Sequence, residues 1–486
     1  MTQQRDENAR DVFDSSMAWI DDFWDEQAGL LRAPASYGTE RVSPGTMLHF
    51  VRETSYYALG LLSRGNPGDE RRALHALAAL LDNQFDTPGT PYHGTWRRAP
   101  EEPDPPAEAV MWRDYDPNWR EFIGTALLVL LIEHEPRLPA DVVARIDRAL
   151  RLAVEGTLAR AVPASYTNIA LMCAWLLDAC GARFGVPEWQ TQAARYAEEI
   201  HALFSRHGAF EEYNSPTYYG VDMAALAMWR AHGVSPMLRE RGAELEAALW
   251  RDLARYYHAE MRNLAGPYDR SYGMDLRRYG GLIGLWIWLA VGRNLAAFPA
   301  PAQPFDHPWD FGAGPLYAIL GVQVPLDVVP HLLAFQGERQ VEQVIADAPE
   351  RVATAWVGER VLLGGERGGG DKRNWKQFHP ATLHWQLPGG DVGWARLRYP
   401  GPADAVAERD LLAITCLGEQ REIIFEVYAP GADVDAQQAD RWELPGLTVH
   451  VDDGAMTMAA EQAGDTLLLR YRASAGEPAR IVLRVA

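Results

Sequence analysis

The sequence predicts a two-part molecule, an (α/α) toroid followed by an antiparallel β-sandwich. Three observations carry this. Apolar residues recur at three- and four-residue spacing through roughly the first 300 positions, and short alternating segments replace them further on. Between the two regimes lies Phe298-Pro-Ala-Pro-Ala-Gln-Pro304, a proline-rich stretch of small residues. A chain of 486 residues also exceeds what one hydrophobic core accommodates, which gives domains at 1–300 and 305–486.

The helical periods fall at 54–62, 73–81, 122–132, 142–154, 168–177, 193–204, 223–231, 245–257 and 282–290, joined by loops rich in Gly, Pro and Asp. Paired helices with long loops at one end predict concentric inner and outer helices around a cleft; an irregular helical array is the alternative. Segments 305–350 are mixed and are read as a small helical bridge. Beyond them, 360–364, 381–387, 411–417, 422–428, 447–451, 466–471 and 480–485 are short and punctuated by Gly, Pro or Asp, as in an antiparallel sandwich.

Bulk properties exclude several function classes. A formal net charge of -20 argues against nucleic acid, whose binding needs a basic surface. Cys173, Cys180 and Cys416 show no metal or redox spacing, and Cys173 and Cys180 fall in an apolar helical run that places both in the core. No ligand spacing indicates a metal, and no cofactor is expected. Neither a signal-peptide core nor an apolar run long enough to span a bilayer is seen, so a soluble cytoplasmic protein is expected. Of 46 basic residues only Lys372 and Lys376 are lysine, both within Asp371-Lys-Arg-Asn-Trp-Lys-Gln-Phe-His379. That clustering marks a place for a compact ammonium, or chance; Lys372, Asn374 and His379 are candidates to complete a site from the second domain.

Chemistry concentrates in Phe210–Gly220, where Glu211, Glu212, Tyr213, Asn214, Tyr218 and Tyr219 crowd a segment that Pro216 and Gly220 break. Loops on a rigid helical scaffold are where catalytic groups sit; the plain alternative is a polar helix–helix turn. Three further segments join it: Trp112-Arg-Asp-Tyr-Asp-Pro-Asn-Trp119, Ser165-Tyr-Thr-Asn168, and Gly266-Pro-Tyr-Asp-Arg-Ser-Tyr272. Trp112, Trp119 and Tyr115 are candidates to stack on sugar rings or to pack in the core. His93 and His49 are read as structural.

In order and texture these segments resemble polysaccharide lyases of the hyaluronate and chondroitin lyase type. The resemblance rests on Asn118-Trp-Arg-Glu-Phe-Ile-Gly124, Thr167-Asn168, Gly208 to Gly220, and Asp269-Arg270, over roughly residues 110–280. It implies β-elimination at a uronate, with Asn168 neutralising the C5 carboxylate, a tyrosine moving protons, and Arg270 as substrate or tyrosine partner. The chain departs from the family's pattern where Tyr213 replaces its histidine and Asp222 falls at the place of its tyrosine. Tyr218 or Tyr219 then takes the acid–base role, with a nearby cation such as Arg270 expected to lower the phenol's pKa.

The rival is an inverting glycoside hydrolase, in which Glu211 or Glu212 pairs with Asp116, Asp222 or Asp269 across a cleft. A dehydratase on a non-sugar substrate and a sugar-binding protein without activity are further alternatives. The expected partner is a small saccharide or glycoside. Glu212, Tyr213, Tyr218, Tyr219, Asn168 and Arg270 are the catalytic candidates. Trp112, Asp116, Asn118, Trp119, Glu211, Asn214, Asp222, Tyr272, Lys372, Asn374 and His379 are the binding candidates.

Overall fold

A computed structural model describes residues 2–35, 42–370, 377–452, 454, 456–473 and 478–485. Its helices are α1 (Thr2–Asp21), α2 (Val51–Arg64), α3 (Asp69–Asp82), α4 (Trp119–His134), α5 (Ala140–Arg160) and α6 (Thr167–Phe184), then α7 (Pro187–His207), α8 (Tyr218–His232), α9 (Pro236–Tyr256), α10 (Leu282–Val291), α11 (Gly314–Leu320) and α12 (Val329–Leu333). Helices α2, α4, α6, α8 and α10 each pack on the next, and α1 closes the ring between α10 and α2. Outside the ring, α3, α5, α7 and α9 each pack on the inner helix that precedes them. This is the toroid.

The burial pattern explains which helices go inside. On α6 the run Thr167 to Gly181 is buried without interruption, whereas α7 buries only Ala193, Tyr196, Ala197, Ile200 and Phe204. A helix apolar all round needs neighbours on every side; one with a single apolar stripe covers a surface. Helix α1 arises from a stretch whose letters look polar. Its Val12, Met17 and Ile20 are buried, and this narrow stripe suffices to close the ring.

The helical part runs on past the proline-rich stretch through α11 and α12, so the first strand of the sandwich begins only at Arg339. Its larger sheet is built from β6 (Arg339–Asp347), β7 (Glu350–Val357), β8 (Val361–Arg367), β9 (Ala381–Gln386), β10 (Val392–Arg398), β13 (Glu422–Tyr428), β16 (Thr457–Ala463) and β17 (Thr466–Arg472), numbered after five short strands in the helical part: β1 (Trp24–Asp25), β2 (Leu30–Pro34), β3 (Met47–Phe50), β4 (Tyr257–His258) and β5 (Asn263–Leu264). The order is β16-β17-β13-β10-β9-β8-β7-β6, antiparallel throughout. The smaller sheet, with β11 (Ala403–Glu408), β12 (Leu411–Cys416), β14 (Arg441–Leu444), β15 (Leu447–Asp452) and β18 (Ala479–Val485), runs β11-β12-β18-β15-β14. Alternation does the work here: Leu412, Ile414 and Cys416 point inward from β12, opposite Phe425 and Val427 of β13 in one shared core.

All three cysteines are buried and free, in accord with core roles. Burial pushes the Cys180 and Cys416 thiols up to about 12. The sandwich lies directly on the toroid. A Cβ at Gly364 of β8 would stand 2.1 Å from the backbone of Gly266, so only glycine admits this approach. Among the described residues no helix is long and apolar enough to cross a membrane.

Candidate active site

Helix α7 ends at Gly208, whose φ of 69° is the left-handed conformation that caps a helix. The chain then crosses the mouth of the toroid before α8 starts at Tyr218. This crossing is stitched to the segment 265–270. Asn214 donates through Nδ2 to the carbonyls of Ala265 (2.8 Å) and Pro267 (2.9 Å), and the Tyr213 N–H donates to Asp269 (2.8 Å). The Ser215 hydroxyl donates to the Arg270 carbonyl. Two loops distant in sequence thereby place Glu212 beside Arg270.

Arg270 organises the centre. Its Nη1 donates to Glu212 Oε1 at 2.9 Å, its Nη2 to the Tyr218 hydroxyl at 2.7 Å, and its Nε to Gln377 Oε1 at 3.2 Å. The guanidinium also lies 3.8 Å over the Tyr218 ring. Burial opposes its charge, but Tyr218 and Glu212 beside it hold its pKa above the ordinary value. The Tyr218 hydroxyl is 3.0 Å from that of Tyr272, which stacks on His307 at 4.0 Å. Burial pushes the Tyr218 phenol well above its ordinary pKa, with Tyr272 adding to the rise and Arg270 pulling against it. The cation acts in the expected direction, but desolvation outweighs it, so Tyr218 holds its proton at neutral pH.

Glu212 is also gripped from behind: Asn168 Nδ2 donates to its Oε2 at 2.5 Å. Asn168 is fully buried at the start of α6 and is not part of the cleft wall. Its amide nitrogen is held by Glu212.

Two cavities meet here, both walled by Trp112, Asp116, Asn118, Tyr218 and Tyr272. The first, about 730 Å³, has Ser165, Tyr166, Glu211, Glu212, Asp269, Arg270, Arg351 and Gln377 in its wall. The second, about 540 Å³, is bounded by Phe50, Trp119, Phe122, Val221, Leu282 and Trp309. Trp112 stands exposed at the rim with a φ of 62°. Burial raises the Asp116 pKa, against the Asn118 N–H that bonds its carboxylate at 2.9 Å. Asn118 itself donates to the Tyr166 hydroxyl (3.0 Å) and accepts from Arg160 (2.6 Å).

Other sequence candidates lie elsewhere. Tyr213 and Tyr219 are buried behind the loop, donating to the two oxygens of Asp252 at 2.8 and 2.9 Å. Asn214 is buried, with its amide nitrogen spent on the stitching. His379 is buried, its Nε2 3.2 Å from the Ser271 carbonyl, and burial drives its pKa down to about 3, so it stays neutral. Lys372, Asn374 and Lys376 lie outside the described residues. His93 pairs with Glu155 at 3.1 Å, and His49 sits between Asp25 and Glu101.

Asp222 is one turn along α8 from Tyr218, fully buried, and neither carboxylate oxygen has a hydrogen-bond partner among the described residues. Burial, then the nearby Glu212 charge, raises its pKa well above the usual range. A carboxyl whose pKa rises on folding binds its proton more tightly in the folded state. Its effect on stability is therefore neutral below the ordinary range and unfavourable as pH rises through the raised value. Asp222→Asn should stabilise the protein by at least about 1 kcal/mol near pH 8, the scale of one unsatisfied buried polar group, and the gain should vanish near pH 4. Urea unfolding of both proteins across that range checks this; a pH-independent difference would contradict it.

Sequence reasoning missed Arg351. From β7 it donates to Asp269 Oδ2 (2.8 Å), Glu366 Oε1 (2.9 Å) and the Glu211 carbonyl (3.1 Å), anchoring the loop that carries Glu212 to the sandwich. Its signal was a charge on a strand that is otherwise buried almost throughout. Phe50, Arg52, His307 and Trp309 were missed too, since nothing local marks them as neighbours of Tyr218. Among the described residues no cluster of His, Cys, Asp and Glu has the makings of a metal site.

Comparison with known proteins gives a family and several distant likenesses. Among curated proteins, none matches the sequence. Among solved structures, a point mutant of the chondroitin AC lyase of Streptomyces coelicolor A3 is 12% identical, covering 99% of this chain and 79% of that one, with a TM-score of 0.43. Endoglucanase CelQ from Clostridium thermocellum complexed with cellotetraose is 12% identical over 99% of this chain and 92% of that one, with a TM-score of 0.28. A heparinase III is 9% identical over 89% and 77%, with a TM-score of 0.33. Residues 337–466 match the model of a domain of unknown function, DUF8770. Over residues 10–322, more than half of its length, the chain belongs to the family described as a domain of unknown function, DUF8769.

Proposed function

We propose that the cleft breaks a carbon–oxygen bond in a uronate-bearing oligosaccharide or glycoside by β-elimination. One observation carries the reading: Arg270 bridges a carboxylate, Glu212, and a protonated phenol, Tyr218, on the wall of one cavity. Glu212 removes the C5 proton. The C5–H electrons form the C4–C5 double bond, the C4–O bond breaks, and the Tyr218 phenol delivers its proton to the departing oxygen. Arg270 offsets the negative charge that builds on the uronate carboxylate as the proton leaves. Asn168 keeps Glu212 in place.

A second reading has its own support. Asp116 lines the same cavity and burial raises its pKa, so two carboxyl groups, Asp116 and Glu212, share one space. A pair of carboxyl groups is what inverting hydrolysis requires, with Asp116 as proton donor and Glu212 activating water. Incubation with a panel of uronate oligosaccharides separates the readings. Ultraviolet absorbance rising with new reducing ends means elimination; reducing ends alone mean hydrolysis.

Tyr218→Phe should lower kcat about a hundredfold with little change in KM, the usual scale for losing one general acid. Steady-state kinetics check this. A rate near that of the unaltered protein would pass the donor role to Asp116.

A further inference from the structure

The cavity beside Phe50 and Trp309 is rich in carboxyl groups. Among the described residues of its wall, Glu53, Glu102, Asp116, Asp306 and Asp310 stand against two arginines, Arg52 and Arg98, and one histidine, His307. Arg98 is spent on Glu102 (2.9 Å) and on the carbonyls of Trp112 (2.9 Å) and Arg113 (3.0 Å). Arg52 is then the fixed cation shared by Glu53, Asp310 and Asp116. It places both Nε (2.9 Å) and Nη2 (2.5 Å) on one oxygen, Glu53 Oε1, and stays 3.8 Å from Asp310. Glu53 is 3% exposed, yet its second oxygen, Oε2, has no hydrogen-bond partner among the described residues. A buried carboxylate oxygen in that state carries a desolvation cost that a donor on a ligand would remove.

The surroundings favour positive charge. Burial opposes the charge of Arg52, but Glu53, Tyr56 and Asp310 hold its pKa well above the ordinary value. Aromatic faces act in the same direction, because a ring face attracts a cation. The Arg52 guanidinium lies 5.3 Å from the Phe122 ring centroid and 5.9 Å from that of Trp119, and Phe50 stacks on Trp309 at 4.2 Å.

We propose that this cavity is a binding site for an alkylammonium group, held by Glu53 and Asp310 and by the aromatic faces beside them. An amino sugar and a simple amino alcohol both carry that group. Tyr218 and Tyr272 lie on the walls of both cavities, so an amine bound here sits on the leaving side of a uronoside. That placement rests on the reading of Tyr218 as the group that meets the leaving oxygen. The substrate then presents a carboxylate to Arg270 and an ammonium to Glu53. A volume of about 540 Å³ is within the range that holds one small ligand.

Calorimetric titration of the full chain tests this without turnover. The probes are methyl glucosaminide and aminocyclohexanol, each beside its neutral counterpart, methyl glucoside and cyclohexanol. At least one amine should bind saturably, one to one, and about tenfold or more tighter than its counterpart, the scale of one hydrogen bond to a charged group. The amine that binds more tightly identifies which source of the ammonium the cavity suits. Glu53→Gln and Asp310→Asn, on separate elements, should each weaken that binding by about tenfold, so one variant that fails to fold leaves the other to decide. Absent amine binding, equal affinity for amines and neutral counterparts, or amine binding that survives these substitutions would overturn the proposal. Selective amine binding without cleavage of any uronoside would sustain this site while removing the proposed reaction. Cleavage of uronosides with no selectivity for amines would do the reverse.

Discussion

Glu212→Gln should lower kcat by about a thousandfold, within the range for removing a positioned general base. The amide keeps the side chain's volume and its contact with Asn168, which donates to Glu212 Oε2 at 2.5 Å. It loses the negative charge facing Arg270 and has no useful basicity. The fold should be little disturbed, because the Arg270 side chain is 29% exposed and water can take over part of its solvation. KM should change far less than kcat, since the proton is moved in the transition state and not on binding. Kinetics at saturating substrate, with thermal unfolding as control, give the answer. A kcat within tenfold of the unaltered protein would remove Glu212 from the reaction under both readings, since both use it.

Arg351→Met should have the largest effect on stability. The arginine side chain is 6% exposed, Asp269 0% and Glu366 1%, so removing the cation leaves two carboxylates buried without it. Breaking such a pair costs about 3–5 kcal/mol, because the remaining charge cannot be solvated. The deficit should narrow as pH falls, since protonation lowers the charge that faced the lost cation. Denaturant unfolding at several pH values measures both effects. A loss below about 1 kcal/mol at neutral pH would mean that the loop holds without the sandwich. Because Asp269 also receives the Tyr213 N–H, the loop carrying Glu212 should loosen with it, and activity should fall even where the chain remains folded.

The order of the two fold regimes was legible in the letters. Uninterrupted apolar periods on α6 mark an inner helix, and alternation on β12 marks a sandwich strand, because burial on one side or all sides leaves a local imprint. Helix α1 was illegible for the same reason: its stripe is narrow, and its significance lies in closing a ring with α10 and α2, which no window of sequence contains. The segments 112–119, 165–168, 208–220 and 266–272 were also recognisable as chemically dense, and the structure gathers residues of all four around one cleft.

Which members of those segments face the cleft was a different matter. Tyr218 and Tyr219 are adjacent and of one type, yet successive positions on a helix point about 100° apart. One therefore meets Arg270 in the cleft and the other meets Asp252 in the core. Asn168 bonds Glu212 across 44 residues, a pairing that no window of sequence contains. Arg351 reaches Glu211 across 140 residues. The amino-acid sequence by itself determined the helix and strand periods, the order of the domains and the segments rich in reactive groups, all of which depend on near neighbours. Tertiary structure alone decided which phenol keeps its proton beside an arginine and which carboxylate is ion-paired. It also decided which residues share one cleft, since desolvation and pairing depend on groups that only folding brings within a few ångströms.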